Sequence, residues 1–404
     1  MPGIVGHRPL PAVPERVGHA PPAHLYTRRV DLRTDNPVGR VPDTRTTRRQ
    51  VLRLTPQGWS LGRHHGQWTP GGLDQVLAQL DTTHAMHLTG AVAPAHAPTL
   101  AELVHRAAAR GTFVSGTLDA RTAGHLPAPL AVAVPPAAHR GEVGDLDWDV
   151  HAIEQRRAAL APLVGTLPSM SVVLVSRRAD LVPPMVRRLA SQRYEDLEIV
   201  VATHGVPLPE GLEEAASGRT LVARELDGEL VFGDALNAAF SLASGQLVNK
   251  MDDDDHIGAD HLWDLAAAHR YSGATLVGKT TTVVHLESLD TTVRRVYGAR
   301  ETFTHRVAGS TMTLSADDLT SVGGWSPVPR GVDTALLQSV ATAGGTVFQP
   351  HDIGYLYVRS DRSHAHTWSA DEGHFLRNVR EQWIGLLHHA SFGTAPDRHD
   401  AENA

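Results

Sequence analysis

The chain of 404 residues contains no cysteine, which removes disulfides, thiolate metal sites and cysteine nucleophiles from its chemistry. Lysine is almost as scarce: of 37 Lys and Arg residues, only Lys250 and Lys279 are lysines. Where Arg is the default cation, as in Ala-, Arg-, Gly- and Pro-rich chains from GC-rich genomes, a lysine stands out for its compact ammonium. No apolar run approaches the ~20 residues of a membrane span. Met1-Pro2-Gly3-Ile4-Val5-Gly6-His7-Arg8 lacks the apolar core of a signal peptide, so a cytoplasmic protein without a transmembrane segment is expected. A net charge of −7 with no basic stripe argues against nucleic acid as a partner.

What is present reads as α/β. The length allows two domains, or one large domain with an appendage. Residues 1–50 are rich in Pro and Arg and read as a partly disordered arm. Residues 51–144 read as a small α/β domain without a chemical motif. Its expected helices carry Leu73, Val76, Leu77 and Leu80, then Leu100, Leu103, Val104 and Ala107; its expected strands are Gly111–Gly116 and Leu130–Val134. A helix and linker occupy 145–168, the main domain 169–390, and a disordered tail 391–404.

From Met170 strands and helices alternate, which predicts a largely parallel sheet with helices on both faces. Expected strands are Ser171–Ser176, Leu197–Thr203, Thr220–Arg224, Gln246–Met251, Ala274–Gly278, Val307–Leu314 and Tyr355–Val358. Expected helices are one capped by Asp180 with Pro183 and Pro184 in its first turn, then Ala235–Ala243, His261–His269 and Val332–Ala343.

The densest chemical signal is Asp252-Asp253-Asp254-Asp255, directly after the strand ending at Met251. Four adjacent carboxylates repel one another, and a cation or a solvated turn relieves that repulsion. In open α/β sheets ligands sit beyond the carboxyl ends of strands. An EF-hand reading fails, because Ile257 stands where glycine is needed and Trp263 where a bidentate Glu belongs. A Mg²⁺ or Mn²⁺ site facing a diphosphate needs only one or two carboxylates and suits the pattern.

The segment Met251 to Asp255, three more residues, then Ala259-Asp260-His261-Leu262 resembles the Leu-Asp-x-Asp-Asp, x-x-x, Pro-Asp-x-Leu signature of inverting family 2 glycosyltransferases with the GT-A fold. Surrounding passages fall in the family's order. Ser171–Ser176 resembles its opening strand, and Ser191-Gln192-Arg193-Tyr194 with Leu197-Glu198-Ile199-Val200 its next passage. Gly233, Asn237 and Ala243-Ser244-Gly245 resemble the helix before the metal motif. Gly323-Gly324-Trp325 resembles its acceptor-side glycine turn. The resemblance covers about residues 168–370.

It implies a Rossmann-like, mostly parallel mixed sheet and metal-dependent transfer of one sugar from a nucleotide-diphosphate sugar to an acceptor hydroxyl. That acceptor could be a saccharide, a lipid-linked compound or a natural product. Asp252, Asp254 and Asp255 are the implied metal ligands, Asp253 a spacer, and Asp333 the general base. His366, with His364 second, is a further metal candidate. Ser176, Asn237, Lys250, Asp252 and Lys279 are implied on the donor side, and Gly323, Gly324 and Trp325 on the acceptor side. Asp333 also reads as an N-cap for a helix beginning at Thr334.

Two departures stand out. The second strand ends Ala202-Thr203-His204-Gly205 where the family has a base-reading Asp, and Val332 replaces the Glu of its Glu-Asp pair. A nucleotidyltransferase is the alternative enzyme, although Ser176-Arg177-Arg178-Ala179-Asp180 lacks the Gly-rich loop of that class. A degenerate transferase serving as a sugar- or nucleotide-binding module is the non-enzymatic alternative.

Overall fold

The computed structural model describes residues 30–41, 48–81, 83–139, 141–296, 299–360 and 372–394. Among them the architecture is α/β, with three sheets.

The first sheet has the order His64–Gln67, Gly58–Leu61, Arg49–Leu54, Ala85–Gly90, Phe113–Gly116. Arg49–Leu54, Ala85–Gly90 and Phe113–Gly116 run parallel, and a meander adds the other two strands antiparallel. Helices Pro70–Leu80 and Ala97–Ala109 bury Leu73, Val76, Leu77, Leu100, Leu103 and Val104 in this layer's core, the i, i+3, i+4 stripe read from the sequence. Residues 30–41, within the segment expected as an arm, form turns anchored by buried Asp35, which accepts from Arg106 (3.0 Å) and Arg110 (2.8 Å).

Leu130–Val134, expected as a strand, lies mostly in the helix Ala128–Ala133. Pro stands in its first turn, only Leu130 of the helix is buried, and Val132 is exposed. A short apolar run does not separate strand from helix, and the proline and alanines decide for the helix here. The long helix Leu146–Val164 follows, and its Ala158, Ala159, Leu160 and Val164 share the first layer's core with Ala267 of helix His261–Ser272.

The eight-stranded central sheet has the order Thr302–Thr304, Val347–Gln349, Leu276–Val277, Thr313–Ser315, Leu247–Met251, Met170–Ser176, Leu197–His204, Thr220–Leu226. The last four are parallel neighbours, and Thr313–Ser315 lies antiparallel against Leu247–Met251. Helices Val182–Ala190 and Phe232–Phe240 pack into separate apolar clusters that draw on alternate residues of the same strands. That is the two-faced burial of a parallel sheet.

Three local expectations change. Asp180 is not the cap of the next helix: a 3-10 turn Ala179–Leu181 precedes Val182–Ala190, and Leu181 occupies the cap. Val307–Leu314 is not one strand, because a 3-10 turn at Gly309–Thr311 interrupts it before Thr313–Ser315. Asp333 is not the N-cap of its helix, which runs Val332–Thr342 and is capped by Gly331 in the left-handed region.

A third sheet, His256–Ile257, Tyr355–Arg359, Val283–Leu286, Thr291–Arg295 and Val379–Ile384, leans on residues that follow the quartet. Its core includes Leu387 and Phe392, so residues 391 and 392, expected in a disordered tail, here belong to a 3-10 turn with Phe392 fully buried. No described helix is long and apolar enough to cross a membrane.

Candidate active site

Strand register brings the chemistry together. Leu174 pairs with Met251 in the parallel ladder, so two residues further on Ser176 comes abreast of Asp253. The Ser176 hydroxyl donates to Asp253, and Arg178, two residues later, donates through Nε to Asp253 (3.1 Å) and through Nη2 to Asp254 (2.8 Å). Burial alone would weaken the Arg178 cation, but its hydrogen bond and charge contact with these carboxylates hold it above its ordinary value. Burial also pushes Asp254 up to about 6; Arg178 opposes that shift, while Asp253 and Asp252 add to it.

On the other side of the quartet, Lys250 is buried and its ammonium lies 2.7 Å from Asp252 Oδ1 and 3.4 Å from Asp333 Oδ1. Asp333 comes from the first turn of Val332–Thr342, whose positive end favours a carboxylate. Its side chain is 37% exposed, while Oδ1 itself is turned inward without a hydrogen bond of good geometry. Gly309 backs it so closely that any Cβ there would collide with the carboxylate, so only glycine fits this position without a shift. Burial raises the Asp333 pKa above the ordinary carboxylate range, Lys250 restrains the rise, and Asp252 adds to it.

The two half-buried carboxylates, Asp252 and Asp254, are the oxygen donors a hard cation takes. Asp252 is 42% exposed and Asp254 16%, both presenting oxygen donors at the strand end. Mg²⁺ and Mn²⁺ prefer one or two carboxylates with phosphate oxygens completing the shell, so this donor set fits either ion. Asp255 does not join it. Its carboxylate is wholly buried and points into the fold, accepting from Ser310 (2.6 Å), Tyr355 (2.8 Å) and the Val358 N–H (3.0 Å). Burial, with the neighbouring Asp254 and Asp252, pushes Asp255 up to about 8. Nor is Asp253 a spacer, since it anchors Ser176 and Arg178.

Other expected residues turn out to be structural. Ser176 is occupied by Asp253 and the Arg178 N–H rather than free for a donor. Asn237 clamps the glycine turn, donating to the Trp325 carbonyl (2.7 Å) and accepting from the Trp325 N–H (2.8 Å). Gly324 in that turn has φ +72°, and Asn237 Oδ1 fills the space where a Cβ would sit. Gly323 has φ +88° beside it. Trp325 faces the core against Phe240, not an acceptor. Lys279 is remote from the quartet in role: its fully buried ammonium donates to Asp264 (2.9 Å) and the Ile353 carbonyl (2.6 Å), in a cluster with Arg157 and His351. Burial lowers its pKa and Asp264 resists that shift. His364 and His366 lie outside the described residues.

The sequence does not single out Arg178, because two adjacent arginines after a strand carry no sign of which one turns toward the acids. Its neighbour Arg177 turns the other way, donating to His204 Nδ1 (3.2 Å) and the Gly228 carbonyl (3.0 Å). Gln192 joins the loop after the quartet to the core, donating to the Gly258 carbonyl (3.0 Å) and accepting from the Leu262 N–H (3.2 Å).

No family model matches this chain, and no curated protein matches it. Among solved structures it is similar to the mannosyltransferase PcManGT from Pyrobaculum calidifontis in complex with GDP-Man and Mn²⁺, with a TM-score of 0.38, 18% identity, 50% of this chain covered and 60% of that one. It is also similar to S. aureus TarS 1-349 in complex with UDP-GlcNAc, with a TM-score of 0.38, 16% identity, 48% of this chain covered and 60% of that one. The chain thus spans about three fifths of the length of each of these solved chains.

Proposed function

We infer that this chain is a metal-dependent, inverting glycosyltransferase of the GT-A type, moving one sugar from a nucleotide-diphosphate sugar to an acceptor hydroxyl. The observation that carries the reading is Lys250, whose ammonium ties a carboxylate of the strand-end quartet to a distant carboxylate, Asp333. Asp333 takes the proton of the acceptor hydroxyl, whose oxygen attacks the anomeric carbon from the face opposite the leaving group. The bond from that carbon to the diphosphate breaks, and the nucleoside diphosphate leaves with the electron pair. A base with its pKa raised toward neutrality suits the first step. When bound, Mg²⁺ or Mn²⁺ supplies positive charge to the departing diphosphate, and Asp252 and Asp254 are the residues that would hold it. Arg178 fixes the Asp253–Asp254 pair, and Lys250 keeps Asp252 and Asp333 from repelling one another.

The nucleotidyltransferase alternative fares worse, because Arg177 and Arg178, the cations of the loop after the first parallel strand, are spent on His204 and the quartet. The test is nucleoside-diphosphate release from a panel of nucleotide sugars with Mn²⁺ or Mg²⁺. Slow hydrolysis of at least one donor, lost in Asp333→Asn and Asp254→Ala, supports the enzyme. Nucleotide binding without release from any donor would leave a binding module.

A further inference from the structure

Apart from the quartet, and sharing no residue with it, His139, Asp147 and His151 form a cluster in which one ligand atom from each lies within 4.8 Å of the others. Asp147 and His151 stand i, i+4 at the start of helix Leu146–Val164, so they share one face. His139 reaches them from the preceding loop, its Nε2 3.3 Å from Asp147 Oδ2. His151 Nδ1 is 3.6 Å from Asp147 Oδ1, and the two imidazoles are 5.0 Å apart at their centroids.

The geometry points to a metal site here, at which His139, Asp147 and His151 bind a divalent transition metal of the Zn²⁺ class. Two imidazoles and a carboxylate are a borderline-soft donor set, unlike the all-oxygen quartet, and three protein ligands leave a position for water. The outer contacts agree. His151 donates Nδ1–H to the Asp147 carbonyl (2.7 Å), which leaves the Nε2 lone pair for a ligand, the usual arrangement of a metal-binding histidine. The His139 ring packs edge-on to Phe113 at 6.1 Å, and its loop is pinned by Arg49, which donates to the His139 carbonyl (3.0 Å) and to that of Gly141.

Burial and the neighbouring His151 also lower the His139 pKa, favouring the neutral ring that ligates metals. His139 Nδ1 currently accepts from the Gly141 N–H (3.0 Å). Binding through Nε2 sends the remaining ring proton to Nδ1, so this loop contact is given up on loading.

The site is independent of sugar transfer, and so is its test. Full-length protein stripped with a chelator is titrated with Zn²⁺ alone by calorimetry, alongside His139→Ala, His151→Ala and Asp254→Asn. The expected result is a saturable Zn²⁺ site weakened about tenfold or more by either histidine substitution and unchanged by Asp254→Asn. Circular dichroism checks the fold of each variant, and His151→Ala, at a partly exposed position, keeps the test valid if His139→Ala misfolds. No Zn²⁺ binding, or binding equally tight in folded His151→Ala, would overturn the proposal.

Discussion

Lys250 Nζ lies 2.7 Å from Asp252 and 3.4 Å from Asp333, so one buried ammonium joins two carboxylates that are 81 positions apart in the chain. Burial works against the cation, yet the two acids hold its pKa above the ordinary lysine value, so it stays charged across the physiological range. Lys250→Met should therefore act on Asp333 first. Without the ammonium the Asp333 pKa rises further, and the acid limb of kcat/KM against pH should move to higher pH. The loss of stability should be modest, about 1–2 kcal/mol, because both carboxylates are more than a third exposed and water screens them. Chemical denaturation with a pH–rate profile measures both effects. An unmoved acid limb would separate Lys250 from the base.

Asp333→Asn tests the base itself. The substitution keeps the size of the side chain but cannot take a proton, so kcat should fall roughly 10²–10⁴-fold. Nucleotide affinity in a thermal-shift assay should change little if Asp333 acts only on the acceptor, as its proposed role as the base requires. In the unmodified protein activity should rise with pH as Asp333 ionises, through a range above the ordinary carboxylate pKa.

Much of this arrangement was legible in the sequence, and the limits are physical. The parallel strands Met170–Ser176, Leu197–His204 and Leu247–Met251 are continuous apolar runs, which two-sided burial demands. The quartet's place at a strand end and the helix carrying Asp333 followed from the same rhythm. The third sheet did not, because His256–Ile257 has two residues and pairs with Tyr355–Arg359 about a hundred positions away. Four identical residues in a row also hide which ones turn inward. Asp255 is selected by Ser310 and Tyr355, partners that only the folded chain brings near. Lys279 and Trp325 carried the right residue types at resembling positions, but burial gave both to the core.

Asp254→Ala should separate the outward carboxylates from the inward one. Removing preorganised stabilisation of the leaving group costs about 10²–10³ in rate. The loss should come with weaker Mn²⁺ dependence and little change in stability, since Asp254 makes no hydrogen bond into the core beyond Arg178 among the described residues. A metal titration of donor hydrolysis reads this directly. Unchanged Mn²⁺ dependence would move the cation elsewhere.

Asn237→Ala distinguishes a clamp from a donor contact. Two hydrogen bonds to the Trp325 backbone are lost, for a cost of about 1–3 kcal/mol. If the side chain is only a clamp, denaturation should show this loss while KM for the donor at low temperature stays near that of the unsubstituted protein. A large rise in KM with full stability would restore the donor role.

Asp255 should make the metal-free protein less stable as pH rises. Its folded pKa of about 8 lies above the roughly 3.9 of an unfolded aspartate, so the folded state binds the extra proton between those values. Stability from this group is then complete below about pH 4 and declines as pH climbs through 8. Asp255→Asn mimics the protonated acid: its carbonyl can accept from the Val358 N–H and its amide can donate to Ser310 or Tyr355. It should flatten that decline and match or exceed the parent at pH 8. Asp255→Ala instead strands the Val358 N–H and one of the Ser310 and Tyr355 hydroxyls, which can donate only one to the other across 2.7 Å, and should cost a few kcal/mol at every pH, on the order of 1–3 for each unsatisfied group. Urea denaturation of the three proteins at pH 5, 6.5 and 8 checks the sign. Buried His105, His256, His261 and His351, whose pKa values burial lowers, add stability as pH rises in all three proteins, so the parent is read against Asp255→Asn. A parent that gains on Asp255→Asn toward pH 8 would show that Asp255 is ionised in the fold, and with it that the inward carboxylate carries charge beside the outward pair.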